Sequence, residues 1–211
     1  MMQEMNKGAG VSGSRPARVA VFASGSGSNF QALVDAISAD PSFGAEIVLL
    51  VCDKPSAYVI ERAKAAGVKA AVFTPRSYES REAYEAEVVK VLQAEGVEWI
   101  ALAGYMRMVT SVLLDAYGGR IVNIHPALLP AFPGLHSAKQ ALDYGVRITG
   151  VTVHLVDAGM DTGPILAQRA VEVMADDTVE TLEQRIHTVE HELYPNTLRA
   201  VISGELKPIR K

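Results

Sequence analysis

Val19-Ala20-Val21-Phe22-Ala23 runs directly into Ser24-Gly25-Ser26-Gly27-Ser28-Asn29, and this stretch decides the architecture. A short, continuous apolar run bounded by turn residues reads as a strand buried on both faces. The Gly-Ser segment lets the chain turn sharply, and residues 29–37 then repeat apolar positions at three- and four-residue spacing, which predicts a helix. A strand that passes through a glycine loop into a helix is half of a βαβ unit, so a parallel sheet is expected.

The alternation continues outward from that unit. Residues 47–52, 70–73, 99–103 and 121–124 read as strands; residues 58–66, 82–95 and 112–117 read as helices, with Gly67 and Gly96 as C-terminal stops. The expected fold class is α/β, a Rossmann-like, mostly parallel twisted sheet with helices on both faces. After Gly134 the pattern changes. A short helix over 137–144 precedes two β-rich runs, 148–156 and 165–173, joined by Asp157-Ala158-Gly159-Met160-Asp161-Thr162-Gly163-Pro164, which predicts antiparallel strands extending the sheet. Thr178 opens a last long helix that Tyr194-Pro195 is expected to kink or interrupt.

Composition narrows the function classes. The 211 residues are 49% hydrophobic, enough for a substantial core. A formal net charge of -4 and a pI near 5.7 argue against nucleic-acid binding, which rests on dense Lys and Arg. No apolar run reaches membrane-spanning length, and neither a span nor a secretion signal is expected. The single cysteine, Cys52, lies in an apolar strand and has no intramolecular partner, which fits a reducing, cytoplasmic location.

Ligands of open α/β sheets bind beyond the carboxyl ends of the strands, here Ser24, Asp53, Gly104 and Asn123. The loop 24–29 opens a helix, where unpaired backbone N–H groups and the helix dipole favour a phosphate. A dinucleotide is the rival ligand, with Asp53 as its ribose acid, but Phe30 stands where the fingerprint wants a third glycine. Asn123 and His125 are two apart on one strand, so both side chains face one small volume before the chain breaks into 126–134. Asp157 or Asp161 is positioned in sequence to couple to that imidazole, with His154 in support; His136 has no evident role. His187-Thr188-Val189-Glu190-His191 matches the H-x-x-E-H pattern of a zinc peptidase, yet a third ligand is hard to supply. Glu190 facing the phosphate loop is the other reading of the same helix.

Taken together, residues 24–29, Asn123-Ile124-His125-Pro126, Leu128-Leu129-Pro130, Pro133-Gly134-Leu135-His136 and 157–163 resemble the phosphoribosylglycinamide formyltransferase family. The resemblance implies a formyltransferase fold over residues 18–203, divided into a phosphate-binding half (18–117) and a catalytic, folate-binding half (118–203). A disordered leader (1–17) and a tail (204–211) flank it. It implies 10-formyltetrahydrofolate as co-substrate, glycinamide ribonucleotide as acceptor and no metal, in a monomer or homodimer.

By the same resemblance Asn123, His125 and Asp161 are catalytic. Gly27, Ser28, Asn29 and Glu190 bind the ribonucleotide. Met106, Arg107, Met108, Val109, Asn123 and the loop Asp157, Ala158, Gly159, Met160 and Asp161 line the folate site, and Arg81 meets the folate glutamate. Ala127 replaces a common serine, and Gly159 is expected to make the folate loop more flexible than in many relatives. Two related activities remain as alternatives. A formyltetrahydrofolate hydrolase carries an added N-terminal domain that seventeen irregular residues do not supply. A methionyl-tRNA formyltransferase needs a basic C-terminal RNA-binding domain. Outside this chemistry stand the zinc peptidase and a non-catalytic nucleotide-binding module.

Overall fold

A computed structural model describes residues 15–209. In chain order it comprises β1 (Ala17–Ala23), α1 (Ser28–Ala39), β2 (Ala45–Cys52), α2 (Val59–Ala65), β3 (Lys69–Val72), a 3-10 turn (Pro75–Ser77), α3 (Arg81–Ala94), β4 (Trp99–Leu102), α4 (Ser111–Tyr117), β5 (Ile121–His125), α5 (Ser137–Tyr144), β6 (Ile148–Leu155), β7 (Ile165–Glu172) and α6 (Val179–Ile202). The seven strands form one sheet in the order β3-β2-β1-β4-β5-β6-β7, the first five parallel and β6 and β7 antiparallel.

Strand β1 shows why the sheet is covered on both faces. Val19 to Ala23 have no exposed surface, and their side chains alternate between two cores. Val19, Val21 and Ala23 pack with Phe30 and Leu33 of α1 and with Tyr194 and Leu198 of α6. Ala20 and Phe22 pack with Tyr84, Val88 and Leu92 of α3 and Leu113 of α4. Each fully buried Phe or Leu stabilises this arrangement by about 1.5–3 kcal/mol relative to exposure. Strand order reverses at β1, whose neighbours are β2 and β4, and such a switch point opens a crevice at the carboxyl ends.

Several expected boundaries move. β5 includes His125, which pairs with Thr152 of β6, so the histidine is held by the sheet rather than by a loop. Helix α6 is not interrupted at Tyr194-Pro195 but runs unbroken from Val179 to Ile202. Proline removes one backbone donor; the buried neighbours Leu193, Tyr194 and Leu198 anchor that turn against the sheet, and the Tyr194 hydroxyl points at the carbonyls of Leu102 and Val122, 2.9 Å from each. The expected leader extends too far: Ala17 already belongs to β1, and Arg15 pairs with Glu98 at 2.7 Å. Residues 1–14 of that leader, like residues 210–211 of the tail, lie outside the described residues. Within the tail, Leu206 packs against the core and its N–H donates to the Ala200 carbonyl.

Candidate active site

The carboxyl end of β5 places Asn123 opposite His154 of β6 in the antiparallel ladder. Asn123 Nδ2 donates to His154 Nε2 at 3.0 Å, while His154 Nδ1–H donates to the Leu155 carbonyl at 2.8 Å and so leaves Nε2 as the acceptor. One amide hydrogen of Asn123 remains for another partner. Two residues on, His125 is buried, and its Nε2 lies 2.9 Å from the Phe132 carbonyl and 3.3 Å from Ser137 Oγ. A carbonyl only accepts, so Nε2 carries the hydrogen and Nδ1 is the nitrogen turned toward the site.

Opposite Nδ1, at 3.4 Å, stands Asp161 Oδ2, which also accepts from the Gly134 N–H at 2.8 Å; Asp161 Oδ1 lies 3.7 Å from His154 Nε2. Burial pushes the His125 pKa down, against the Phe132 carbonyl and the Asp161 charge, which favour imidazolium, and the net direction is downward. Burial alone raises the carboxyl of Asp161; the neighbouring His154 ring, the hydrogen bond from the Gly134 N–H and the charge of His125 outweigh it and hold the pKa below the ordinary value. The residues on 126–136 that supply these contacts are fixed in turn. Thr152 Oγ1 donates to the Ala127 carbonyl and accepts from Leu129 N–H, and Gln140 donates to the carbonyls of Pro133 and Leu135.

A cavity of about 540 Å³ opens over these groups, within the roughly 300–1,000 Å³ range of small-molecule sites. Met106, Arg107, Met108 and Val109 form one wall, and Asp157, Gly159, Met160 and Asp161 another. Ala158 is exposed but is not part of the lining. Arg81 is not brought to the cavity; it stands exposed in the first turn of α3. Arg107 is the cavity's cation instead, its Nε donating to buried Asp53 at 2.9 Å and its guanidinium lying 5.8 Å from the Tyr84 ring centre. Asp53 Oδ2 is held by this ion pair and its Oδ1 is buried without a hydrogen-bond partner, so the carboxylate is not presented to a ribose as the dinucleotide alternative needs.

The 24–29 loop adjoins this wall, since Ser24 Oγ accepts from the Met106 N–H at 3.1 Å. Gly27 has φ +76°, and a Cβ there would stand 2.4 Å from Val59 Cγ2, so close approach of the loop to α2 requires glycine. Asn29 Nδ2 donates to Glu190 Oε2 at 2.9 Å, joining the two ribonucleotide candidates across α1 and α6. Burial raises the Glu190 pKa, against the hydrogen bond from Asn29. Arg62, unremarked in the sequence, donates through Nε to the Ser26 carbonyl and gives the loop a cationic flank; burial, and after it the charges of His187 and Arg62, lower the His191 pKa. The zinc reading fails on geometry. Glu190 Oε2 is engaged by Asn29 and lies 3.9 Å from His187, and no cluster among the described residues can hold a metal ion.

Sequence reasoning also missed Phe132, Gly134 and Ser137 as partners of the catalytic side chains. Two of those contacts come from backbone groups, which no residue type announces; Ser137 reads only as a helix start.

Residues 17–198 match the formyl transferase family. The chain is 52% identical over 185 residues to a phosphoribosylglycinamide formyltransferase of Bacillus subtilis, covering 88% of this chain and 94% of that protein. It is also 45% identical to a trifunctional purine biosynthetic protein of Drosophila melanogaster, of which it spans 14%. Among solved structures, a phosphoribosylglycinamide formyltransferase from Bacillus halodurans superposes with a TM-score of 0.86 at 52% identity, covering 89% of this chain and 96% of that one. A glycinamide ribonucleotide transformylase from Geobacillus kaustophilus gives a TM-score of 0.86 at 55% identity, covering 89% and 100%. With the fold, the sheet-end site and these likenesses in agreement, the chain belongs to the formyl transferase family.

Proposed function

We propose that the protein transfers the formyl group of 10-formyltetrahydrofolate to the amine of 5'-phosphoribosylglycinamide. The observation that carries this reading is the convergence of Asn123, His125 and Asp161 in one cavity beside a glycine loop suited to a phosphate. In the reaction the amine nitrogen bonds to the formyl carbon and the carbonyl electron pair moves onto oxygen. The free amide hydrogen of Asn123 and the protonated Nδ1 of His125 are donors for that oxyanion. Asp161 stabilises the imidazolium and assists removal of the amine proton. The tetrahedral species collapses as the bond to folate N10 breaks, and N10 takes a proton, so one proton leaves the amine and one reaches tetrahydrofolate. Neither a metal nor a covalent formyl-enzyme enters this scheme.

The phosphate end of the ribonucleotide is assigned to the backbone of Gly27, Ser28 and Asn29, and Glu190 to its ribose or glycinamide portion. The apolar wall of Met106, Met108 and Val109 and the 157–161 segment suit a flat pterin, and Arg107 is the cation proposed for a folate carboxylate. We place the protein in the cytoplasm as a monomer or homodimer; the free, buried Cys52 accords with a reducing compartment. No described helix is long and apolar enough to cross a membrane. The test is to incubate the protein with 10-formyltetrahydrofolate, with and without the ribonucleotide amine, and to follow tetrahydrofolate, formate and formylated ribonucleotide. Amine-dependent release with formylated product supports the transferase. Formate without the amine would make it a hydrolase, and no release would leave the site without this activity.

A further inference from the structure

The segment joining β6 to β7 delivers Asp161 to the site, and its shape is set from within. Asp157 Oδ1 accepts from the Gly159 N–H at 3.1 Å and from the Thr162 hydroxyl at 2.7 Å. The second bond closes the loop onto the residue that directly follows Asp161. Gly159 has no room for a side chain here, because a Cβ would stand 2.0 Å from Thr162 Oγ1. This glycine permits a close cross-tie between Asp157 and Thr162. At the far end Leu155 N–H donates to the Pro164 carbonyl at 2.9 Å, and a Cβ on Gly163 would meet the Leu155 carbonyl oxygen at 1.8 Å.

Between these ties Asp161 adopts φ +54°, the left-handed region that residues with a Cβ avoid. Such a conformation persists only where the surroundings over-determine it. From it the carboxylate reaches Gly134 N–H at 2.8 Å and His125 Nδ1 at 3.4 Å. We propose that Asp157 is a positioning residue: through the Thr162 hydroxyl and the Gly159 N–H it holds the turn that aims Asp161 at His125 before any substrate arrives. This goes beyond the direct folate contact that family resemblance assigns to Asp157. Its Oδ1 is already occupied by two donors of its own loop, and a loop ordered in advance binds ligand without a further ordering cost.

The test uses the full, unliganded chain and reads the His125 pKa by NMR in wild type, Asp157→Ala, Asp157→Asn, Thr162→Val, the Asp157→Ala/Thr162→Val double variant and Asp161→Asn. The ionisable groups acting on His125 are Asp161 and His154; Tyr105, Arg107, His136, Glu183 and His187 also line the cavity and are unchanged throughout. Asp161→Asn defines complete loss of the neighbouring charge. Asp157→Ala and Thr162→Val should each lower the His125 pKa by about half of that shift or more, with no further drop in the double variant. Asp157→Asn keeps the acceptor, deletes the charge, and should restore the wild-type value.

Turnover rests on the formyl-transfer reading and forms a separate arm. There kcat should fall about ten- to a hundredfold in Asp157→Ala and Thr162→Val, with KM for the ribonucleotide unchanged. A wild-type His125 pKa in both variants overturns the proposal. So does an Asp157→Asn shift equal to that of Asp157→Ala, which would mean that the charge acts directly. A rise in folate KM alone, with kcat intact, would reduce Asp157 to a plain contact. If the wild type transfers no formyl group, the titration arm still decides.

Discussion

Replacing Asp161 by asparagine removes a charge while keeping an oxygen that can accept from the Gly134 N–H, so the variant isolates the electrostatic role of the carboxylate. The Oδ2 to His125 Nδ1 separation is 3.4 Å and the Asp161 side chain is 13% exposed. At that distance two unit charges interact by about 1 kcal/mol in water and about 5 kcal/mol at an effective dielectric constant near 20. The site is partly buried, so the working value lies between these limits. An interaction of about 1.4–4 kcal/mol corresponds to a change in the His125 pKa of about one to three units. The sign is fixed: the carboxylate favours imidazolium, so its loss moves the pKa further down, in the direction burial already drives it.

At neutral pH the imidazolium fraction then falls by roughly one to three powers of ten. With the loss of assistance to the amine proton, turnover should fall by about two to four powers of ten. Initial rates of tetrahydrofolate formation at saturating substrates, measured from pH 5.5 to 9 beside an NMR titration of His125, give both quantities. If Asp161→Asn turns over at the wild-type rate, or leaves the His125 pKa where it was, the assignment of Asp161 as partner of His125 is refuted.

Gly27→Ala forces a left-handed residue with a Cβ against Val59 and should cost about 1–3 kcal/mol, read as a lower urea midpoint, together with a raised KM for the ribonucleotide; an unchanged midpoint would show that the loop is not held against α2. Glu190→Gln replaces a buried carboxyl whose pKa burial raises, and should stabilise the unliganded protein at pH 8 by about 1 kcal/mol while weakening ribonucleotide binding. A loss of stability there would contradict the burial argument. His125 and His191 have folded-state pKa values below that of an unfolded imidazole, so over the interval between the two values the unfolded chain binds more protons. Their contribution is complete above the unfolded value of about 6.5 and is lost as pH falls through the folded values, so the urea midpoint should drop between about pH 7 and 5 and the drop should shrink in His125→Ala. His125→Ala should itself lower turnover by about two to four powers of ten while the fold survives; near wild-type turnover would exclude the imidazole from the chemistry.

The strand-helix alternation was legible because a strand buried on both faces must be continuously apolar and an amphipathic helix must repeat near 3.6 residues, and β1 and α1 obey both rules. Asn123 and His125 were legible for a related reason: two-residue spacing on a strand fixes a shared side whatever the rest of the chain does. The continuity of α6 through Pro195 was not legible because local propensity leaves out the buried surface of Leu193, Tyr194 and Leu198 that holds the helix together across it. The close approach at Gly159 was not legible either, since it depends on a hydroxyl three residues away.

By itself, then, the sequence determined the α/β class, the sheet-end location of the site and the pair on β5, all of which follow from periodicities of consecutive residues. Only the tertiary structure decided that His125 carries its hydrogen on Nε2, that Asp161 rather than Asp157 faces it, that Arg107 is held by Asp53, and that Glu190 meets Asn29. Those choices depend on backbone carbonyls, left-handed turns and contacts between residues up to 161 positions apart, and neither residue type nor spacing along the chain encodes such distances.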